Sequence, residues 1–347
     1  MELELIRLNL PLEHPFTIAR GTINTQPSLV VALHHDGIVG LGEVTENDYY
    51  GHTYGSITRS LEKVNLILDQ YASQSPFQLW QAMYDKIEGD TFALSALDMA
   101  AHDWHGKRIG KPTWQHWGLQ IDDGVPSSFT IGIDTIPKMI AKLNQRPGWP
   151  IYKIKLGASQ DIEIITELRK HTDAVFRVDA NCGWTRDQTV ENSILLNQLG
   201  VEFIEQPLPT HAPNHDKRFV FENSALPIIA DEDCQVPSDV AKCHSLYHGI
   251  NVKICKCGGL SPAMNMLRQA RQLGMKTMVG CMVESSIGIS GAAQLLPLLD
   301  YADLDGALLL KSEPASGVTI DQGKVCFSAA AGTGAVLHSQ RVANYQP

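Results

Sequence analysis

From about position 127 onward, short apolar stretches alternate with helical patterns roughly every 25 residues, and no other feature limits the possible folds as strongly. The stretches cover 129–133, 152–157, 175–181, 201–207, 227–232, 250–256, 276–284 and 301–306. Strands that all run the same way cannot be joined by tight hairpins and need a crossover helix between neighbours. Eight such units predict an α/β chain built as a (β/α) TIM-type barrel, with a doubly wound parallel sheet as the competing architecture.

The first hundred residues read differently. Leu3, Leu5, the apolar run 29–33, a turn at Asp36-Gly37 and the run 38–43 alternate like an antiparallel sheet. Apolar residues at three- and four-residue spacing over 57–68 and 91–105 then predict helices, the second ending near Gly106. These residues predict an α+β capping domain over 1–120 and a barrel over 121–312. A segment over 313–347, with the strand-like fragments Gly317-Val318-Thr319-Ile320 and Lys324-Val325-Cys326-Phe327, is expected to return to the cap.

Composition narrows the class of function. With 28 basic against 38 acidic residues the net charge is −10, so no general field attracts nucleic acid or an anionic membrane. The N-terminus lacks a basic start followed by an apolar run, and no stretch is apolar enough to span a bilayer. The expectation is a cytoplasmic enzyme of small molecules, associating as a homo-oligomer. Seven scattered cysteines in a chain of this size predict reduced thiols.

Active sites of such barrels form at the C-terminal ends of the strands, and the charged residues of this chain gather there. Lys153 and Lys155 close the second strand, Asp179 the third, Glu205 the fourth and Asp231 the fifth. A lone strand-end carboxylate is commonly a solvated residue or a helix cap. Three from adjacent strands share one volume and repel unless a cation joins them. All-oxygen ligation favours a hard divalent ion such as Mg2+ over zinc, which prefers His or Cys.

Lys153 and Lys155 alternate with Ile154, so both project to the interior. Like charge, Arg177 and the ion are expected to push one of them toward a pKa usable in a base. Lys253 and Lys256 on the sixth strand are candidates for a second base across the barrel mouth. The competing readings are a surface lysine pair or a Schiff-base aldolase lysine. A substrate carboxylate held on Mg2+ becomes an enediolate when its α-proton leaves, which places the ion where charge develops.

Lys153-Ile154-Lys155, Val178-Asp179-Ala180-Asn181, Ile204-Glu205-Gln206-Pro207, Ala230-Asp231-Glu232 and Lys256-Cys257-Gly258-Gly259 together resemble the enolase superfamily, in its muconate-lactonizing subgroup. The resemblance spans nearly the whole chain. It implies Asp179, Glu205 and Asp231 as Mg2+ ligands and Lys155 and Lys256 as bases on opposite faces, a pattern already general to that superfamily. Strict alternation from Lys253 turns Lys256 to the other face, so the choice of Lys256 rests on the resemblance.

Asp303-Leu304-Asp305 is similar to the Asp-x-Asp element of the subgroup's dipeptide epimerases, which holds a free amino group. Carboxylates at i and i+2 of a strand share a face and suit a compact ammonium, although the pair could also cap the last turn. The loop from Pro15 to Thr22 resembles their specificity loop, with Arg20 facing a glutamate side chain. A second cap loop, Asp48-Tyr49-Tyr50-Gly51-His52, is expected to close over the mouth, with Tyr50 toward the substrate. The implied activity is epimerisation of a small dipeptide such as L-Ala-D/L-Glu. The alternatives are a lyase or cycloisomerase of the o-succinylbenzoate synthase or muconate type, or a non-catalytic metal-binding barrel. Glu232 and Glu284 are candidate supports for a ligand or lysine. Cys255 and Cys257 read as small core residues, and Gly258-Gly259 as a turn rather than a phosphate loop.

Overall fold

The computed structural model of the chain describes residues 1–346 apart from 88, 122, 123 and 158. Strands β1 (Glu2–Ile18), β2 (Gly21–His35) and β3 (Ile38–Thr45) pair antiparallel in that order. The Asp36-Gly37 turn sets His35 opposite Ile38. On one face of the sheet Leu29, Val31 and Leu33 are buried against Ile57 and Leu61 of helix Tyr54–Asn65 and Leu97 of helix Thr91–Ile109. The second helix lies directly on β3. Side chains at Gly40 and Gly42 would meet the carbonyl oxygens of Ala100 and Ala96 at 2.1 and 2.0 Å, so both positions must lack one.

Eight strands form the second body: β4 (Phe129–Ile131), β5 (Ile151–Lys155), β6 (Val175–Asp179), β7 (Val201–Glu205), β8 (Ile228–Ala230), β9 (Gly249–Val252), β10 (Lys276–Gly280) and β11 (Tyr301–Asp303). All neighbours pair parallel and in sequence order. The ring closes where Ser127, just before β4, bridges Ala302 of β11 and Ser128 N donates to Ala302 O at 3.1 Å. This is a barrel and not a doubly wound sheet. Its strand order puts β5 and β9 four places apart in a ring of eight, on opposite walls. Register does the rest at the mouth, since Lys155 pairs with Asp179 and Asp179 with Glu205.

The chain beyond β11 runs back along the cap. Lys311 N donates to Pro11 O at 2.9 Å, Thr113 N to Gly332 O at 2.8 Å and Asn9 N to Tyr345 O at 2.6 Å. The fragments near 319 and 325 pair as a small hairpin, Thr319–Asp321 with Lys324–Cys326. Among the described residues no helix is long and apolar enough to cross a membrane. All seven cysteines are free.

Buried carboxylates of the cap clasp helix starts of the barrel. Glu43 of β3 accepts from Ser285 N (3.0 Å), Ser285 Oγ (2.5 Å) and Gly288 N (2.9 Å) at the start of helix Ser286–Ala293. Asp98 accepts from Ser261 N (2.8 Å) and Ser261 Oγ (2.7 Å) in the first turn of helix Leu260–Gln272. An anion belongs at such an end, where backbone N–H groups lack partners. Gly258-Gly259 is a turn with φ of +93° and +133°, and a Cβ on Gly259 would lie 2.4 Å from the Asp98 carboxylate. The glycine pair therefore makes room for a cap side chain.

Burial pushes the Asp98 carboxyl up to about 7, against the pull of its two Ser261 donors. A carboxyl raised above its unfolded value stabilises the fold while protonated, and that contribution disappears as pH rises through about 7. Scanning calorimetry should therefore show a lower unfolding temperature at pH 8 than at pH 5.5. Asp98→Asn should flatten that slope relative to wild type, and equal slopes in the two proteins would exonerate Asp98.

Candidate metal and catalytic site

The ends of β6 and β7, and the residue following β8, bring Asp179, Glu205 and Asp231 together, all fully buried. Each offers an oxygen within 4.8 Å of the other two, a spacing that suits one shared ion. The donors are all carboxylate oxygens, which fits a hard divalent cation. Glu205 shows the strain of leaving them together, since burial and the Asp179 charge push its carboxyl up to about 7. Its Oε1 accepts from Asn251 Nδ2 at 2.8 Å, and its Oε2 makes no hydrogen bond, although Lys153 Nζ lies 2.8 Å away as an ion pair. Buried carboxylate oxygens this close together are what a cation site requires.

Four lysines surround the triad. Lys153 Nζ lies 2.7 Å from Asp303 Oδ2, 2.8 Å from Glu205 Oε2 and 3.5 Å from Asp179 Oδ2. Lys155 Nζ donates to Asp179 Oδ2 at 2.7 Å, and Lys253 Nζ to Asp231 Oδ2 at 2.8 Å. Lys153, Lys155 and Lys253 all line one cavity of about 470 Å3 between the barrel mouth and the cap.

One expectation is corrected here. Lys256 does not line that cavity. Its side chain has no exposed surface, and its Nζ is held by Asp231 Oδ1 and Asp231 O at 2.5 Å each and by Cys234 O at 3.2 Å. β9 ends at Val252, and Lys253 caps the one-turn helix Ile254–Cys257. Helical spacing then carries Lys256 past the mouth and under Asp231, so Lys253 is the lysine facing Lys155 across the ring. The carboxylates also act on the lysines' charge. Burial alone would lower Lys153 and Lys253, yet Asp303, Glu205 and Asp179 lift Lys153 well above an ordinary lysine, and Asp231 does the same for Lys253. Arg177 takes no part, because its guanidinium pairs with Glu202 at 2.8 Å and Ala302 O at 3.1 Å, toward the opposite end of the barrel interior.

Asp303 and Asp305 face the cavity from β11 and the turn that follows it. Asp303 Oδ1 accepts from Ser128 Oγ at 2.7 Å and Thr130 Oγ1 at 3.4 Å; Asp305 accepts from Thr130 N at 2.6 Å and Thr130 Oγ1 at 3.2 Å. Burial and the Asp303 charge push Asp305 up to about 7. A carboxyl pair so placed attracts a cation. Arg20 also lines the cavity but is engaged: its Nη2 lies 2.8 Å from buried Glu232 and its guanidinium sits 4.3 Å over the Tyr49 ring. Tyr50 lines the cavity as well, its ring 5.8 Å from Phe92 in the cap core. Glu284 accepts from Met282 N at 2.8 Å and is pushed up to about 7 by burial and Glu43.

Ser128, Thr130 and Asn251 are the site residues that the motifs did not single out. Alternation carried a signal for all three, since Ser128 and Thr130 bracket Phe129, and Asn251 stands two before Lys253. A larger groove of about 880 Å3 runs between β1 and the C-terminal residues, and none of the strand-end charges lines it.

A cap laid over the mouth of a parallel barrel, with three strand-end carboxylates and facing lysines, defines a metal-assisted barrel enzyme. Residues 2–118 match the family profile "Mandelate racemase / muconate lactonizing enzyme, N-terminal domain", and residues 138–341 match "Enolase C-terminal domain-like". The chain belongs to this mandelate racemase and muconate lactonizing enzyme family of the enolase superfamily. The L-Ala-D/L-amino acid epimerase of Flavobacterium johnsoniae is 48% identical over 337 residues, 97% of this chain and 100% of the relative. The L-Ala-D/L-Glu epimerase of Bacteroides thetaiotaomicron is 39% identical, over 96% of this chain and 87% of the relative. Among solved structures, the substrate-liganded L-Ala-D/L-Glu epimerase of Bacillus subtilis superposes with a TM-score of 0.88 at 27% identity, covering 97% of this chain and 98% of the other. A dipeptide epimerase of Cytophaga hutchinsonii, solved with Mg and D-Ala-L-Val, superposes with a TM-score of 0.91 at 25% identity, covering 99% and 97%.

An ion that binds only the folded triad stabilises the protein by mass action, by about 2.7 kcal/mol at about 100 times its dissociation constant. Adding Mg2+ after EDTA treatment should raise the unfolding temperature by a few degrees in scanning fluorimetry. Glu205→Gln should lose that shift, and a shift of wild-type size in the variant would remove Glu205 from the site.

Proposed function

We propose that the chain is a Mg2+-dependent dipeptide epimerase that inverts the α-carbon of the C-terminal residue of L-Ala dipeptides, L-Ala-D/L-Glu among them. One observation carries the reading: Lys155 and Lys253 face one cavity from opposite walls, each against a different carboxylate of the triad. Inversion needs a base on one face of the α-carbon and an acid on the other, and a proton exchanged between two amines supplies both. When bound, the ion supplies the positive charge that makes loss of a proton beside a carboxylate tolerable. The chain's own residues do the rest. Lys155 and Lys253 remove and return the proton, Lys153 holds Asp303 in place, and Asp303 and Asp305 take the substrate's free ammonium.

The carboxyl pair favours a substrate with a free amine over the diacids of a cycloisomerase, because a diacid would meet two buried negative groups. Arg20 is the cap-side cation for a glutamate side chain once it leaves Glu232, and Tyr50 closes the cap side of the cavity. The names of the relatives, spanning glutamate and broader L-Ala dipeptides, support this substrate class. The same reading takes 1–120 as the specificity cap, 121–312 as the barrel and 313–347 as the return to the cap. It describes a cytoplasmic homo-oligomer without nucleic-acid or membrane partners.

General acid–base groups contribute about 10²–10⁴-fold each, so Lys155→Ala and Lys253→Ala should each lose epimerisation by at least that much. In D2O, mass spectrometry of L-Ala-L-Glu and L-Ala-D-Glu should then show each variant exchanging the α-hydrogen of one isomer only. Turnover like wild type in Lys253→Ala would sink the pairing.

A further inference from the structure

Directly after the metal-site residue Glu205 stands Gln206, fully buried, with a left-handed backbone at φ of +34° that a side-chain-bearing residue seldom adopts. Strained backbone of this kind persists only where the surroundings hold it. Here the side chain is the holder, because every hydrogen-bonding position of its amide is used. Oε1 accepts from Asp231 N at 2.9 Å and Asp233 N at 3.2 Å, while Nε2 donates to Leu208 O at 3.0 Å and Tyr247 Oη at 3.3 Å. An amide has two acceptor and two donor positions, so nothing is left over.

The backbone of Gln206 completes the pattern. Its carbonyl accepts from Cys182 N at 2.8 Å, in the loop that follows Asp179, and its N–H donates to Ile229 O at 2.9 Å on β8. One residue thus touches the loop after Asp179, continues the chain of Glu205 and grips the backbone N–H of Asp231. On the far side of the Asp231 peptide, Lys256 binds the carbonyl. Tyr247 anchors the arrangement from behind through Asp233, which Lys217 also reaches at 2.7 Å.

We infer that Gln206 is a positioning residue that sets the spacing of the three carboxylates and so the affinity of the site for its divalent ion. It does not line the cavity that holds Lys155 and Lys253. The inference rests on the metal-dependent reading above. Supports behind metal ligands typically change affinity or activity about 10–100-fold.

The test is a titration of the EDTA-stripped protein with MgCl2 by isothermal calorimetry, beside epimerase assays across Mg2+ concentrations. Gln206→Met keeps the length and removes all four side-chain hydrogen bonds. It should raise the Mg2+ dissociation constant about 10–100-fold, with kcat recovering toward wild type at saturating Mg2+. Tyr247→Phe removes one of the amide's four partners and should raise the constant by a smaller factor. A Gln206→Met protein that binds Mg2+ like wild type overturns the inference. Should Gln206→Met fail to fold by circular dichroism, Tyr247→Phe decides, and an unchanged constant there overturns it. Wild-type protein that binds no Mg2+ would instead sink the functional reading itself.

Discussion

Much at the barrel mouth follows from one constraint: charges gathered in a buried volume must nearly cancel. Five cations, Lys153, Lys155, Lys253, Lys256 and Arg20, face six carboxyl groups, Asp179, Glu205, Asp231, Glu232, Asp303 and Asp305. The balance is uneven in space. Glu205 and Asp305 are pushed up to about 7, while Asp231, gripped by two lysines, stays well below the ordinary carboxylate range despite its burial. Burial and a neighbouring carboxylate raise both. One lies in the triad that would hold a divalent ion, and the other in the pair that we propose takes the substrate's ammonium.

That balance depends on the barrel and the cap keeping their relative positions, because Arg20 and Tyr50 come from one body and the triad from the other. The clasps are chemical rather than merely apolar. Glu43 and Asp98 bring carboxyl oxygens to the starts of two barrel helices, where unpaired N–H groups donate to them. Helix Ser286–Ala293 follows the segment 281–283, which lines the cavity, so the Glu43 clasp also sets that wall. Asn47 reaches the same wall, its Nδ2 3.8 Å from Met282 Sδ. A shift of β3 would therefore be felt directly in the shape of the substrate cavity.

How much of this was legible in the sequence depended on whether periodicity held. The eight strands were legible because each is buried on both faces and bounded by turn residues, and the carboxylates because each stands at a strand end or just past one. Lys153 and Lys155 lie on one strand, where a period of two is reliable. Lys256 was misplaced because the chain leaves the strand after Val252 and winds one helical turn, so the period changes between two lysines three residues apart. The clasps were invisible for another reason: Asp98 and Ser261 are 163 residues apart, and nothing local distinguishes Asp98 from an ordinary helix aspartate.

The misplaced lysine also shows why the site has two lysines on one carboxylate. A buried aspartate with a single ammonium partner is free to swing toward it, and its oxygens would follow that lysine when it moved a proton. Lys256 has no such freedom, since two carbonyls and a carboxylate oxygen hold its ammonium out of the cavity. It therefore supplies Asp231 with a fixed partner on Oδ1, leaving Oδ2 to Lys253. In the proposed reaction Lys253 can then exchange its proton with a substrate while Lys256 stays on Asp231 Oδ1. Fixed charge behind and mobile charge in front is the arrangement a proton-transferring lysine needs, and the one-turn helix Ile254–Cys257 is the local structure that provides it.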